Sequence, residues 1–111
     1  MAVSLIVLIC TILGYAANAH LNFGSPDEIM YLNAGNFSDA IQASHMVLVN
    51  FYAPWCGYCK NLLPELAKVA ADLPNMNIDG RIAMLDASME ENIMLADSEG
   101  VDGFPSLILY R

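Results

Sequence analysis

Basic side chains are the scarcest feature of this chain. Lys60, Lys68, Arg81 and Arg111 stand against twelve acidic residues, giving a formal net charge of −8 over 111 residues. So few cations argue against nucleic acid and anionic lipid surfaces as partners, because both are held by basic patches. The acidic excess reads as a solvated surface and names no partner. Repeats, low-complexity tracts and a second domain are also missing, and the length suits one small domain. Histidine is limited to His20 and His45, and cysteine to three residues. After residue 19 no segment is apolar enough to span a membrane, so no membrane association is expected once a leader is removed.

What the chain has in plenty is apolar residues, at 57%, and part of that excess is local. "SLIVLICTILGYAANA" is an apolar run ending in Ala17-Asn18-Ala19. An apolar stretch followed by an A-x-A pattern reads as a secretory signal peptide, residues 1–19, cut before His20. The run from Val3 to Ala17 is shorter than the roughly 20 residues of a membrane span. No Lys or Arg precedes Leu5, so only the terminal amine supplies positive charge, and an uncleaved anchor is the alternative. Cys10 would leave with the leader. The remaining chain then holds only Cys56 and Cys59, too few for a disulfide scaffold. One close pair entering an oxidising compartment points to redox chemistry.

Residues 20–28 carry turn formers and form an N-terminal lead-in to a domain over residues 29–111. Ile29–Asn33 is a short strand candidate. "NFSDAIQAS" places Asn36 as a helix N-cap, with Phe37, Ala40 and Ile41 at helical spacing. Met46–Ala53 is apolar on both faces, as in a strand buried mid-sheet. Leu62, Leu63, Leu66, Val69, Ala70 and Leu73 then trace an amphipathic helix, with Pro64 expected to kink it. Arg81–Ala87 is the next strand, Glu90–Gly100 a short helix closing on glycine, and Ser106–Tyr110 a last strand. Alternating strands and helices mean an α/β fold.

Cys56 falls where the buried strand hands over to the long helix. A sulfur there faces free N–H groups and the positive end of the helix dipole, which favour a thiolate. Cys59, one turn later, shares its face. Cys56 is therefore read as the nucleophile and Cys59 as the resolving cysteine of thiol–disulfide exchange. Two other readings compete with this one. Zinc needs four ligands, and neither His20 nor His45 has ligand spacing, so no metal is expected. A purely structural disulfide across two residues would restrain little of the unfolded chain.

"VLVNFYAPWCGYCKNLLPELAKVA" resembles the active-site region of a thioredoxin-like domain of the protein disulfide isomerase family. The resemblance runs from Ile29 to Tyr110 and includes "LDASMEEN" and "GVDGFPSLILY". It implies a thioredoxin fold, a central mixed sheet with flanking helices. It also implies a cis Phe104–Pro105 bond packed against the cysteines. An extended substrate peptide would lie against Trp55, Phe104 and Pro105. By the same resemblance Gly57 permits the tight turn into the helix. Lys60 lends positive charge near Cys56, with a solvated helix residue the alternative.

Three departures from the family pattern bear on function. Tyr58 replaces the histidine of the usual C-G-H-C, which implies a weaker oxidant. Asn50 stands where the family has a buried acid that moves the proton of the second cysteine. Asn50 cannot titrate, which implies slow release of mixed disulfides; the alternative is that it only satisfies local backbone groups. Third, the family continues past Tyr110 with an edge strand and a helix, so the chain is expected to lack these, to be a piece of a longer protein, with a truncated variant that folds poorly alone the alternative, and to leave "SLILY" as an exposed apolar edge. No retention signal is present in "LYR".

The expected activity is that of a thiol–disulfide oxidoreductase or isomerase in the endoplasmic reticulum lumen. Its substrates would be unfolded or misoxidised secretory proteins, with glutathione or an oxidase as redox partner and no cofactor beyond the dithiol. A thioredoxin-like peptide-binding or chaperone module with little turnover is the alternative. Asn36-Phe37-Ser38 also fits the N-glycosylation acceptor pattern, in competition with the N-cap reading of Asn36.

Overall fold

The computed structural model describes residues 23–111. The proposed leader, Cys10 and His20 lie outside them. Four strands form one sheet: β1 (Met30–Leu32), β2 (Val47–Tyr52), β3 (Arg81–Asp86) and β4 (Ser106–Tyr110). Their spatial order is β1-β3-β2-β4. β1, β3 and β2 run parallel, and β4 is antiparallel to β2. The helices are α1 (Phe37–Ala43), α2 (Gly57–Asp72) and α3 (Glu90–Ser98).

The parallel centre explains the strand composition. β2 and β3 have neighbours on both edges and helices on both faces, so they read as unbroken apolar runs. Val47, Val49 and Phe51 point to one face, where they meet Met30, Leu32, Phe37, Ala40, Ala83, Leu85 and Ala96 beneath α1 and α3. Phe51 is fully buried, which contributes about 1.5–3 kcal/mol relative to exposure. On the opposite face Ile82 and Met84 pack against Leu66 and Ala70 of α2. The result is the expected mixed sheet between helical layers. β4 forms one edge, and Leu107 and Leu109 remain 48% and 46% exposed.

Element ends follow from local chemistry. α2 runs continuously through Pro64. α3 stops at Ser98, two residues short of the expected Gly100. Gly100 takes φ +81° just outside the helix, where left-handed backbone favours glycine. The N–H of Val101 then bonds the Ala96 carbonyl at 3.0 Å, and that of Gly100 bonds Asp97 at 3.1 Å. This pair of bonds is a Schellman closure.

Asn36 does precede α1, but its side chain makes no cap bond. Asn36 holds the expected N-cap position, its carbonyl accepting the Ala40 N–H at 3.0 Å, but its Oδ1 accepts the N–H of Asn33 at 2.8 Å instead of a helix N–H and ties the β1–α1 loop. Asn92, buried in α3, holds that loop from beneath. It accepts from Ala34 N–H at 2.7 Å and donates to the Asp86 carbonyl at 2.9 Å. The polar position in "NIML" was the available signal for this residue, and sequence reasoning missed it.

Candidate redox site

The site is built at the carboxyl end of β2. Tyr52 ends the strand, Ala53 is fully buried, and Pro54 and Trp55 are exposed before the chain enters α2. Cys56 is the N-cap of α2, with φ −81° and ψ 114°. Its Sγ accepts the backbone N–H of Cys59 at 3.2 Å. A sulfur thus fills the capping role usually taken by an oxygen, and it does so at the positive end of a 16-residue helix. The N–H aimed at the sulfur stabilises negative charge there.

Cys56 and Cys59 are both buried with free thiols, at 7% and 2% exposure. They pack with Ala53, Tyr52 and Phe104. Burial is the largest cause pushing the Cys59 thiol up from its ordinary range, and the hydrogen bond with the Cys56 side chain adds to it. Cys59 is therefore held as a neutral thiol while Cys56 caps the helix. Tyr52, beside the pair, is also pushed up, by burial first, then by Asp86 and Tyr31.

The residues expected around the pair divide into those that meet it and those that do not. Phe104 packs against the cysteines and stacks edge-on against Trp55, with ring centroids 5.8 Å apart. The Phe104–Pro105 bond is cis. Trp55 remains 71% exposed, so an aromatic surface opens beside Cys56. Tyr58 is 79% exposed on the outer face of α2. Lys60 is exposed, and among the described residues the one ion pair is Lys68–Glu65. Gly57 is corrected: its φ is not left-handed, and a Cβ there would meet nothing within 4 Å. The turn does not need a glycine.

Asn50 lies on the α2 face of the sheet, in register with Met84 on β3 and Leu107 on β4. It is fully buried. Its Nδ2 donates to the Met84 sulfur at 3.3 Å, and its Oδ1 has no partner. The reading in which Asn50 satisfies local backbone groups is therefore corrected. Met84 lies 34 residues away, and no local pattern could have named it.

The thioredoxin family model matches residues 28–111. A protein disulfide-isomerase from Hordeum vulgare is 44% identical over 86 residues, 78% of this chain and 17% of the relative. One from Gallus gallus is 45% identical over 85 residues, 77% of this chain and 16% of the relative. The chain therefore spans about a sixth of the length of these relatives. Among solved structures, the first thioredoxin domain of mouse protein disulfide-isomerase A4 superposes with a TM-score of 0.68. It is 35% identical, covering 80% of this chain and 62% of that one.

Proposed function

The chain belongs to the thioredoxin family, and from that premise we propose that it is a protein disulfide isomerase-type thiol–disulfide oxidoreductase of the endoplasmic reticulum lumen. The observation that carries the proposal is the Cys56 sulfur at the N-terminus of α2, accepting the Cys59 N–H at 3.2 Å. In the reductive direction the Cys56 thiolate attacks a substrate disulfide. A mixed disulfide forms and one substrate sulfur leaves as a thiolate. Cys59 then loses its proton and attacks the Cys56 sulfur. The Cys56–Cys59 disulfide forms, the second substrate thiol departs, and two electrons have passed to the substrate. Oxidation is the same path reversed, and in isomerisation a second substrate thiolate, in place of Cys59, attacks the substrate sulfur of the mixed disulfide, forms the new substrate disulfide and releases the Cys56 thiolate. An oxidase or the glutathione pool resets the pair.

The proposed substrate is a cysteine in an extended segment of an unfolded or misoxidised secretory protein, lying against Trp55, Phe104 and Pro105. The exposed Trp55 ring supports this reading. A Cys59→Ala variant tests it, because it cannot resolve the mixed disulfide. Covalent capture of lumenal client proteins, released by reductant, is expected. Absence of covalent capture would contradict the proposal.

A second reading, a peptide-holding module with little turnover, is favoured by the buried Asn50, which cannot accept a proton. Clients held equally by a Cys56→Ser variant would support the holder over the enzyme.

A further inference from the structure

The acceptor pattern Asn36-Phe37-Ser38 has no role in the redox chemistry, and although Asn36 holds the N-cap position of α1, its side chain is not used for capping. Asn36 takes φ −115° and ψ −1° and makes no side-chain cap bond. Its Oδ1 accepts from Asn33 N–H at 2.8 Å, while Asn33 Oδ1 accepts from Gly35 and Asn36 N–H at 2.8 and 3.0 Å. The side chain is thus held by its oxygen alone, and its Nδ2 donates to no described residue. Asn36 is partly exposed and Ser38 exposed, while Phe37 between them anchors the tripeptide in the core. A bond formed at Nδ2 leaves the Oδ1 acceptor in place, so the loop keeps its hydrogen bonds when modified.

The position of this loop gives the modification a consequence. β1, β3 and β2 are parallel, so the loops that follow β1 and β2 leave the same end of the sheet. β1 and β2 are separated by β3, a lateral offset of about 10 Å from two strand spacings. A sugar on Asn36 would stand at the redox end of the molecule, on the flank away from β4 and Pro105.

We propose that Asn36 is an N-glycosylation site whose glycan flanks the Cys56–Cys59 pair. The donor is an oligosaccharide linked through diphosphate to a lipid. The Asn36 Nδ2–C1 bond forms, the bond from C1 to the diphosphate oxygen breaks, the Nδ2 proton is lost to a base, and the lipid diphosphate leaves. No oxidation is involved. The proposal rests on the lumenal placement above.

The test is expression of the full chain in eukaryotic cells, with gel mobility read before and after endoglycosidase. Asn36→Gln and Ser38→Ala remove the site. Asp79→Ser provides a control, since it completes an acceptor at Asn77 in the exposed loop after α2. An endoglycosidase-sensitive shift in the parent chain, lost in both Asn36→Gln and Ser38→Ala, is the expected result. A shift confined to the Asp79→Ser chain would overturn the Asn36 site and leave the lumenal reading intact. No shift in either chain would overturn both.

Discussion

The side-chain amide of Asn50 donates to the sulfur of Met84 at 3.3 Å and leaves its own oxygen without a partner in a fully buried position. A buried polar atom without a partner costs on the order of 1–3 kcal/mol. Met84→Leu conserves volume and alone should cost under about 1.5 kcal/mol, but it also strips Asn50 of its acceptor. The expected loss in urea unfolding is therefore larger, about 1–3 kcal/mol. In an Asn50→Leu background the same change should be close to neutral. Equal losses in both backgrounds would mean that the two side chains are not coupled.

The same geometry predicts a kinetic effect. A carboxyl at residue 50 would face the α2 layer and could take a proton during resolution by Cys59. Asn50→Glu is expected to shorten the life of the mixed disulfide, measured by quenched-flow trapping. Unchanged resolution would remove Asn50 from the mechanism.

Burial raises Cys59, Tyr52 and Tyr110, with Glu99 adding to the rise at Tyr110. Each of these groups is neutral when protonated, and the fold favours that form. Their contribution is fully present below the unfolded-state values and is lost as pH rises through the raised folded values. Stability of the reduced protein should therefore fall from neutral into alkaline pH. Denaturant titrations across that range check the direction. Tyr52→Phe with Tyr110→Phe should flatten the fall, and an unchanged slope would contradict the assignment.

Gly57→Ala should fold normally, with stability equal to the parent or up to about 0.5–1 kcal/mol higher. A loss of several degrees in Tm would show a constraint on residue 57 that its backbone does not reveal.

Much of this was legible because the cues are local. The apolar Met46–Ala53 run gave β2 to within a residue at each end, and "GYCKNLLPELAKVAAD" carried its helical period through Pro64. The placement of Cys56 at a strand–helix junction followed from those two alone. The misses are long-range or conformational. The Asn50–Met84 bond needs strand register, and the anchoring of the β1–α1 loop by Asn92 spans 58 residues. Asn36 has the composition of a cap, but Asn33 competes for its oxygen. Gly57 invited a steric argument that only φ could decide.

The most direct test of the central claim is an equilibrium redox titration of the Cys56–Cys59 pair, by thiol trapping in glutathione buffers of graded ratio. The account predicts a single two-electron transition, absent in Cys56→Ser, that moves to a more oxidising potential in Tyr58→His. A pair that stays reduced, or stays oxidised, across the whole range would contradict a role in thiol–disulfide exchange.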